Sequence, residues 1–267
     1  MQTSTIQSAD GTQLRIGKSG EGSRHVLIIP GLAEHLGRYT HVVEALNGAG
    51  CAVTVLELRG HGESGGKRGH VDRWSQYLDD VRAAAATIDG PVLLLGHSMG
   101  GLVALELAIE GLPNGIEALI LSDPNVAVAV DAPAIKVMGA KILSRILPGL
   151  ALDNELDSSL ISRDPATVEA YNADPLVYST ITPRWFTEMI KSQERVIAHA
   201  TRYTMPLLMM LGEGDVICDW RASAALARNW SGEAKTIQYP ELYHEIFNEI
   251  ERDQVIGDLV KWLGDLK

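Results

Sequence analysis

Short apolar runs alternate along this chain with longer segments in which apolar residues recur every three or four positions. Wholly apolar runs of four to six residues are typical of strands buried on both faces of a parallel sheet, and the longer period is typical of helices. The predicted strands are 25–29, 52–57, 92–96, 118–121, 206–211 and 235–239. The predicted helices are about 40–49, about 72–88, from 101 onward and about 252–266. This alternation predicts an α/β fold with a parallel, doubly wound central sheet and helices on both faces.

Two parts of the chain break the alternation. Residues 3–7 and 13–18 flank the turn pair Asp10-Gly11 and predict an antiparallel hairpin at a sheet edge. Between Pro124 and Met205 no strand is predicted, and helical segments begin near Ala134, Pro165 and Pro183. We therefore predict one domain over residues 1–267, with a helical cap inserted at about 125–204.

The stretch 92–108, VLLLGHSMGGLVALELA, places a G-x-S-x-G turn between a buried strand and an apolar helix. By itself such a pentapeptide is also found in ordinary glycine-rich loops. A strand directly before it and a helix directly after it favour a nucleophile turn, in which strain lifts the Ser98 hydroxyl out at the carboxyl end of the sheet. The first amides of the helix point to the same place. Ser98 is therefore the predicted nucleophile.

A serine hydroxyl needs a base and an acid that orients the base. In this fold the acid and then the histidine follow the serine along the chain, which leaves His244, after strand 235–239, as the base. The loop 212–219 offers three carboxylates, and Asp215 is preferred because its neighbouring glycines permit a sharp turn. Asp219 fits better as a helix N-cap. Asp123, after the preceding strand, remains the alternative acid.

The anion formed during acyl transfer needs preorganised donors. The template for this fold takes one amide after the nucleophile and one from the loop after the third strand, which is 25–29 here, and these are the amides of Met99 and Leu32. The sequence contains no H-E-x-x-H, paired C-x-x-C, P-loop or dinucleotide-binding motif. No metal or cofactor is implied.

Charge and composition restrict the partners. The formal net charge of −11 argues against nucleic acid and against electrostatic attraction to anionic membranes, so any lipid contact is expected to be apolar. The first residues lack the pattern of a signal peptide, and no apolar run is long enough to span a bilayer. We expect a cytoplasmic protein in which Cys51 and Cys218 stay unpaired.

Several stretches resemble the monoacylglycerol lipase and lysophospholipase branch of the α/β-hydrolases, which is also grouped with serine aminopeptidase-like hydrolases. They are GLAEHLGRY (31–39), LRGHGESGGKRGH (58–70), GHSMGG (96–101), GEGDVICD (212–219), YPELYHEIFNE (239–249) and, in the predicted cap, SRDPATVEAYNADPLV (162–177). The resemblance implies a Ser98, Asp215, His244 triad, an oxyanion hole at Leu32 and Met99, and a cap that forms an acyl tunnel. It also implies hydrolysis of monoacylglycerols to glycerol and free fatty acid.

Three places depart from the pattern of that family. Pro30 stands where many members have histidine, the turn 123–125 replaces a more apolar one, and Phe247 stands where the animal enzymes have a further histidine. These departures leave the triad positions filled and concern the oxyanion loop and the pocket for the leaving alcohol. The candidate substrate-binding residues are Glu34, Arg38, Ile142, Ile146 and Phe247.

Other functions stay open on the sequence alone. A general carboxylesterase, lysophospholipase or thioesterase would use the same acyl transfer to serine. A serine aminopeptidase would need spare carboxylates to hold a free amino terminus, for which the predicted cap offers Asp153, Glu155, Asp157 and Glu169. A non-catalytic lipid-binding protein is disfavoured because all the triad positions are filled.

The predicted cap segment 134–150, AIKVMGAKILSRILPGL, carries a wide apolar stripe at helical spacing. One interpretation is that the stripe packs on the other helices of the cap and on the sheet, as in most amphipathic helices. The alternative is a helix that lies in a membrane interface, because basic residues rim the stripe of an otherwise acidic protein. The stripe contains Ile135, Met138, Ile142 and Ile146, and the basic residues are Lys136, Lys141 and Arg145.

Overall fold

Eight strands form the main sheet of the computed structural model, which describes residues 1–113, 115–129 and 133–266. They are β1 (Gln2–Gln7), β2 (Gln13–Ser19), β3 (Arg24–Ile29), β4 (Cys51–Leu56), β5 (Val92–His97), β6 (Ile116–Ser122), β9 (Leu207–Gly212) and β10 (Ala234–Tyr239). Two short strands, β7 (Leu152–Asp153) and β8 (Thr180–Ile181), pair separately and antiparallel.

The order across the main sheet is β1-β2-β4-β3-β5-β6-β9-β10. All neighbours from β4 to β10 are parallel, and β1 and β2 add an antiparallel edge. The predicted parallel sheet and the edge hairpin are both confirmed. Parallel pairing has a functional consequence, because the loops after β3, β5, β6, β9 and β10 all leave from the same edge of the sheet.

Helices cover both faces of the sheet, as predicted. Successive β3 residues alternate between the two resulting cores: Leu27 belongs to the cluster that includes α2 and α3, and Ile28 to the cluster that includes α1 and α8. The helices are α1 (Thr40–Gly48), α2 (Ser75–Ala85), α3 (Met99–Glu110), α4 (Ala134–Ile146), α5 (Pro165–Ala173), α6 (Pro183–Ala198), α7 (Trp220–Arg228) and α8 (Arg252–Asp265).

Helix α2 is shorter than the predicted 72–88. Before it, the Gln76 side chain accepts the amide of Asp72 at 3.0 Å, so that the chain forms a turn ahead of Ser75. After it, the amides of Thr87 and Ile88 donate to carbonyls only three residues back, which tightens the end into a turn.

Between β6 and β9 lie α4, α5 and α6, where the helical cap was predicted. Asp164 and Thr182 cap α5 and α6 through their side chains, and each is followed by proline at the first helical turn. The sequence predicted no strand here, whereas the structure adds the short pair of β7 with β8 and an isolated bridge between Val128 and Cys218. Residues 130–132 of the predicted cap lie outside the described residues.

Helix α4 corrects the interpretation of its apolar stripe as core. Ile142 is 54% exposed and Ile146 is 69% exposed, and Ile135 and Met138 are exposed as well. The helix rests on α6 through a polar contact, in which Ser144 Oγ lies 2.9 Å from Thr187 Oγ1. Since Ser144 is the buried position of α4, the stripe points away from the protein. Over the described residues, no helix combines the length and the apolar character needed to cross a membrane.

Candidate active site

The turn between β5 and α3 holds Ser98 in the strained conformation predicted for it. Its φ and ψ are 51° and −117°, in a region that residues other than glycine rarely occupy. A Cβ at Gly96 would lie 2.6 Å from the carbonyl oxygen of Gly100, and one at Gly100 would overlap the carbonyl oxygen of Ile29. The glycines are therefore needed for the backbone to pass close to itself while Ser98 stands at the edge of the sheet.

Three side chains predicted from separate loops meet at this edge. Ser98 Oγ lies 2.9 Å from His244 Nε2, and His244 Nδ1 lies 2.7 Å from Asp215 Oδ2. All three residues are buried. The loops after β5, β9 and β10 supply them, in the chain order serine, acid, histidine. This geometry allows His244 to take a proton from Ser98 while Asp215 holds the imidazole in the required tautomer.

The loop after β9 fixes the orientation of Asp215. Its Oδ1 accepts the amides of Ile217 at 2.8 Å and Cys218 at 3.0 Å, which leaves Oδ2 for the histidine. Asp219 is instead the N-cap of α7, as predicted, and accepts the amide of Arg221 at 2.9 Å. Among these carboxylates it is Asp215 that hydrogen-bonds to His244.

The alternative acid, Asp123, lies at the same edge but does not hydrogen-bond to His244. Its Oδ1 accepts the amide of Gly212 at 2.8 Å, and its Oδ2 has no hydrogen-bond partner among the described residues. Burial, together with the negative charge of Asp215, raises the pKa of Asp123 well above its usual range. Burial and the charge of Asp215 therefore favour the neutral form of Asp123.

The surroundings of His244 favour its protonated form. Burial alone would lower its pKa, but the charge of Asp215 and the hydrogen bond to it raise the pKa of His244 above its ordinary value, with Glu245 and Glu34 acting in the same direction. The neighbouring ring of His97 lies 4.9 Å away, and burial lowers the pKa of His97 to about 4. Of these two histidines, His244 is thus the one suited to accept a proton near neutral pH.

Leu32 and Met99, whose amides were predicted to form the oxyanion hole, belong to the two loops that meet at Ser98. Met99 is the first residue of α3, and Leu32 lines the site cavity. Neither amide donates a hydrogen bond to an acceptor in the described part of the chain. Gly31 brings the two loops together, because a Cβ there would lie 3.2 Å from the Cβ of Ser98. Both donors are therefore available to a substrate oxygen.

Glu34 holds the loop that carries Leu32. Its Oε2 accepts the Gly31 amide at 2.5 Å and the Tyr39 hydroxyl at 2.6 Å, and its Oε1 accepts Arg38 Nε at 3.2 Å. Burial alone would raise the pKa of Glu34, but His97, Arg38 and these hydrogen bonds hold it at about 2. Glu34 is thus an ionised, buried anchor for the backbone next to Leu32.

A cavity of about 200 Å³ opens over the serine. The apolar part of its lining comes mostly from residues between β6 and β9, and the ionisable part comes from the loops after β3, β5 and β10. The apolar residues include Val128, Leu156, Ile161, Ile181, Trp185, Phe186 and Met189. The ionisable residues of these loops are Glu34, His97, His244 and Glu245, and Tyr171 of α5 and Cys218 of the loop after β9 also line the cavity.

Of the five candidate substrate-binding residues, the structure places only Glu34 in this cavity. Arg38 is engaged by Glu34 and Glu245, and Phe247 is buried in the core under α1 and α8. Ile142 and Ile146 lie on the outer surface of α4, away from the lining. The substrate-binding assignments of these four residues are therefore not supported. His35 also stays outside the lining, where its Nε2 lies 2.7 Å from Asp174 Oδ2.

Sequence reasoning missed several residues of the site. Glu245 lines the cavity, and its position directly after His244 is the sequence feature that could have indicated this. Asn125 also lines the cavity, and its backbone amide donates to the Ser98 carbonyl oxygen at 3.0 Å. The aromatic residues Trp185 and Phe186 gave no local signal, because their helix has the ordinary pattern of an amphipathic helix.

One group of side chains in the described residues has the spacing of a metal site. The ligand atoms of Asp215, Cys218 and His244 lie within 4.8 Å of one another. Asp215 and His244 already hydrogen-bond to each other, and burial with the charge of Asp215 raises the pKa of the Cys218 thiol well above its usual range. A neutral thiol is a weak metal ligand, so the hydrogen-bonded triad accounts for this arrangement.

Comparison with known proteins places this chain among hydrolases. A family model described as serine aminopeptidase, S33, matches residues 20–251. The monoacylglycerol lipase of Mycolicibacterium smegmatis is 36% identical over 245 residues, which are 89% of this chain and 87% of that protein. Phospholipase YtpA of Bacillus subtilis is 33% identical to this chain, and the match covers 86% of this chain and 91% of that protein. The crystal structure of Paleococcus ferrophilus monoacylglycerol lipase has a TM-score of 0.88 and 34% identity, over 94% of this chain and 98% of that chain.

Proposed function

This chain belongs to the serine aminopeptidase S33 family of α/β-hydrolases, and from that premise we propose that it hydrolyses carboxylic esters of single-chain lipids, monoacylglycerols first. The products are glycerol and a free fatty acid. The observation that carries the proposal is the hydrogen-bonded series Ser98, His244, Asp215 at the base of a largely apolar cavity. Two relatives named as monoacylglycerol lipases support the same substrate.

In the first half of the reaction, Ser98 Oγ attacks the ester carbonyl carbon while His244 Nε2 takes the hydroxyl proton. The carbonyl oxygen becomes an oxyanion, and the amides of Leu32 and Met99 stabilise it. Asp215 remains ionised and stabilises the imidazolium. The tetrahedral intermediate then collapses, His244 donates its proton to the leaving alcohol, and an acyl ester on Ser98 remains.

In the second half, water replaces the alcohol. His244 takes a proton from the water as the water oxygen attacks the acyl carbon, and the same two amides stabilise the second oxyanion. Collapse returns the proton to Ser98 and releases the fatty acid. The mechanism uses only groups of the protein and needs no metal or cofactor.

The lining of the cavity supports a single acyl chain as the substrate. Apolar side chains from residues 125–204, which we propose act as a cap, surround the space above Ser98. An apolar cavity with a few polar groups at one end suits a ligand that has a hydrocarbon chain and a small polar head. The four acidic residues considered for an aminopeptidase lie outside this lining, so they do not support a peptidase site.

A substrate panel tests the proposal. We expect turnover of monoacylglycerols to exceed that of diacylglycerols, triacylglycerols and acyl thioesters, and a fluorophosphonate probe to label Ser98. Ser98→Ala should lose both labelling and turnover, by about 10⁶-fold in kcat as in a comparable triad. Its thermal unfolding should match that of the parent. Labelling without any ester turnover would indicate a different acyl substrate, and turnover by Ser98→Ala would contradict the nucleophile.

We further propose that α4 meets the surface of lipid aggregates. Its stripe of four exposed apolar residues is flanked by Lys141 and Arg145 in a chain of net charge −11, so this helix is less acidic than the protein as a whole. An amphipathic helix with an apolar face and a basic rim binds at a membrane interface. Such contact would bring the enzyme to the place where monoacylglycerols are found.

A further inference from the structure

Glu245, the residue after His244, has one carboxylate oxygen that accepts hydrogen bonds from the protein and one that does not. Its Oε2 accepts hydrogen bonds from Arg38 and, at 2.8 Å, from Asn248 Nδ2. Its Oε1 accepts none from the described residues, and this oxygen is accessible to solvent. Since Glu245 is 4% exposed and lines the cavity, the free oxygen is reached from the cavity.

The other carboxylate of the cavity, Glu34, differs in this respect. Both oxygens of Glu34 accept donors from its own loop, namely the Gly31 amide, the Tyr39 hydroxyl and Arg38 Nε. Arg38 is shared by the two carboxylates, so a single guanidinium faces two acidic groups. Of the two carboxylates, Glu245 is thus the one with an oxygen left for a hydrogen-bond donor on a ligand.

The free oxygen of Glu245 is placed to contact the leaving alcohol. His244 Nε2 must protonate the alcohol oxygen, which therefore lies within hydrogen-bond reach of His244 during the reaction. Glu245 lines the same cavity as Ser98 and His244, so its free oxygen is offered to the remaining atoms of an alcohol held there. The apolar lining from residues 125–204 suits the acyl chain instead.

We propose that Glu245 Oε1 accepts a hydrogen bond from a free hydroxyl of the leaving alcohol and thereby selects esters of polyols such as glycerol. This inference rests on the proposed ester hydrolysis and adds a specificity residue to it. A site built to pair a substrate hydroxyl discriminates strongly against an analogue that lacks it, because the acceptor is then buried without a partner.

The test compares two esters of one fatty acid, the 1-monoacylglycerol and the propyl ester, which lacks both free hydroxyls. In Glu245→Gln the amide carbonyl takes over the contact with Arg38, and the amide NH₂ presents a donor to the cavity. We expect kcat/KM to fall about tenfold or more for the monoacylglycerol and to stay within about twofold for the propyl ester. Glu245→Asp, which withdraws the oxygen by one methylene, should give the same selective loss if Glu245→Gln does not fold.

Glu241→Gln is the matched control. It makes the same chemical change in the same loop, at an exposed residue outside the cavity lining, and both esters should be cleaved as by the parent. Equal losses on the two esters in the Glu245 variants would overturn the inference, as would a parent enzyme that does not distinguish the esters. A parent that cleaves neither ester would instead refute the proposed function.

Discussion

His244 donates through Nδ1 to Asp215 Oδ2 over 2.7 Å, while the second acid at the same edge of the sheet, Asp123, is left with an unpartnered oxygen. The two carboxyl groups follow neighbouring strands, β9 and β6, and each is buried. Their roles differ because Asp215 pairs with the base, whereas Asp123 accepts only the backbone amide of Gly212 and its burial favours the neutral form.

Substitution of the three candidate acids should separate these roles. Asp215→Asn should lower kcat by about 10³–10⁴-fold, because an amide in place of the carboxylate no longer favours the reactive tautomer of His244. Asp123→Asn should stay within about tenfold, since the amide resembles the neutral acid that burial favours and Asp123 does not bond to His244. Asp219→Asn should change little, because asparagine also caps a helix. Steady-state kinetics on one soluble ester decides among them, and a larger loss in Asp123→Asn would refute the assignment of Asp215.

The pH dependence should show a base with a raised pKa. Turnover requires neutral His244, and its raised pKa means that the proton is retained to higher pH than in a free imidazole. We therefore expect kcat/KM for a soluble ester to fall as the pH drops through a value above about 6.5. Glu245→Gln removes one of the charges that raise this pKa, so its acidic limb should move to lower pH. A limb below pH 6 in the parent would contradict this account.

The exposed stripe of α4 predicts separable effects on lipid and soluble substrates. Ile142→Glu and Ile146→Glu should weaken sedimentation with phospholipid vesicles and lower activity on long-chain monoacylglycerols severalfold. Thermal unfolding and hydrolysis of a short soluble ester should stay unchanged, because both positions are solvent-exposed. Ile197→Glu is the matched control, since this isoleucine is 53% exposed on α6 and lies outside the stripe. Unchanged vesicle binding in the α4 variants would remove the proposed lipid contact.

Cys218 should make the enzyme sensitive to thiol reagents that reach the cavity. Its amide bonds to Asp215 and its side chain lines the cavity, so a bulky adduct would displace the acid or block the serine. The raised pKa of the thiol predicts slow inactivation by N-ethylmaleimide that accelerates with increasing pH. Cys218→Ala should abolish the inactivation, and Cys51→Ala, at a buried thiol of β4, should not. Inactivation that persists in Cys218→Ala would contradict this prediction.

Local sequence was sufficient to predict structure where the residues of a short stretch restrict its backbone conformation. The apolar run before Ser98 and the glycines around it together predicted a buried strand and a strained turn, and the structure has both. Chain order then left one histidine, His244. These features were predictable because backbone sterics and strand burial act within a few residues.

Sequence alone could not choose between Asp215 and Asp123 with certainty, since both follow buried strands of one parallel sheet. The choice depends on which side chain reaches an imidazole carried by a third loop, and that is a distance between segments far apart in the chain. Arg38 and Phe247 lie outside the cavity lining, which the sequence could not indicate for the same reason. Arg38 is engaged by Glu34 and Glu245, and Phe247 turns into the core.

The sequence by itself determined the α/β architecture, the strained nucleophile turn and the periodicity of α4. The tertiary structure decided which polar atoms are already satisfied and which apolar faces are covered. The stripe of α4 has the same spacing whether a neighbour packs on it or not, and only the position of α6, which contacts Ser144, leaves it exposed. In the same way, Glu245 has a free oxygen because Arg38 and Asn248 bind the other one, and hydrogen-bond satisfaction depends on atoms brought together from distant parts of the chain.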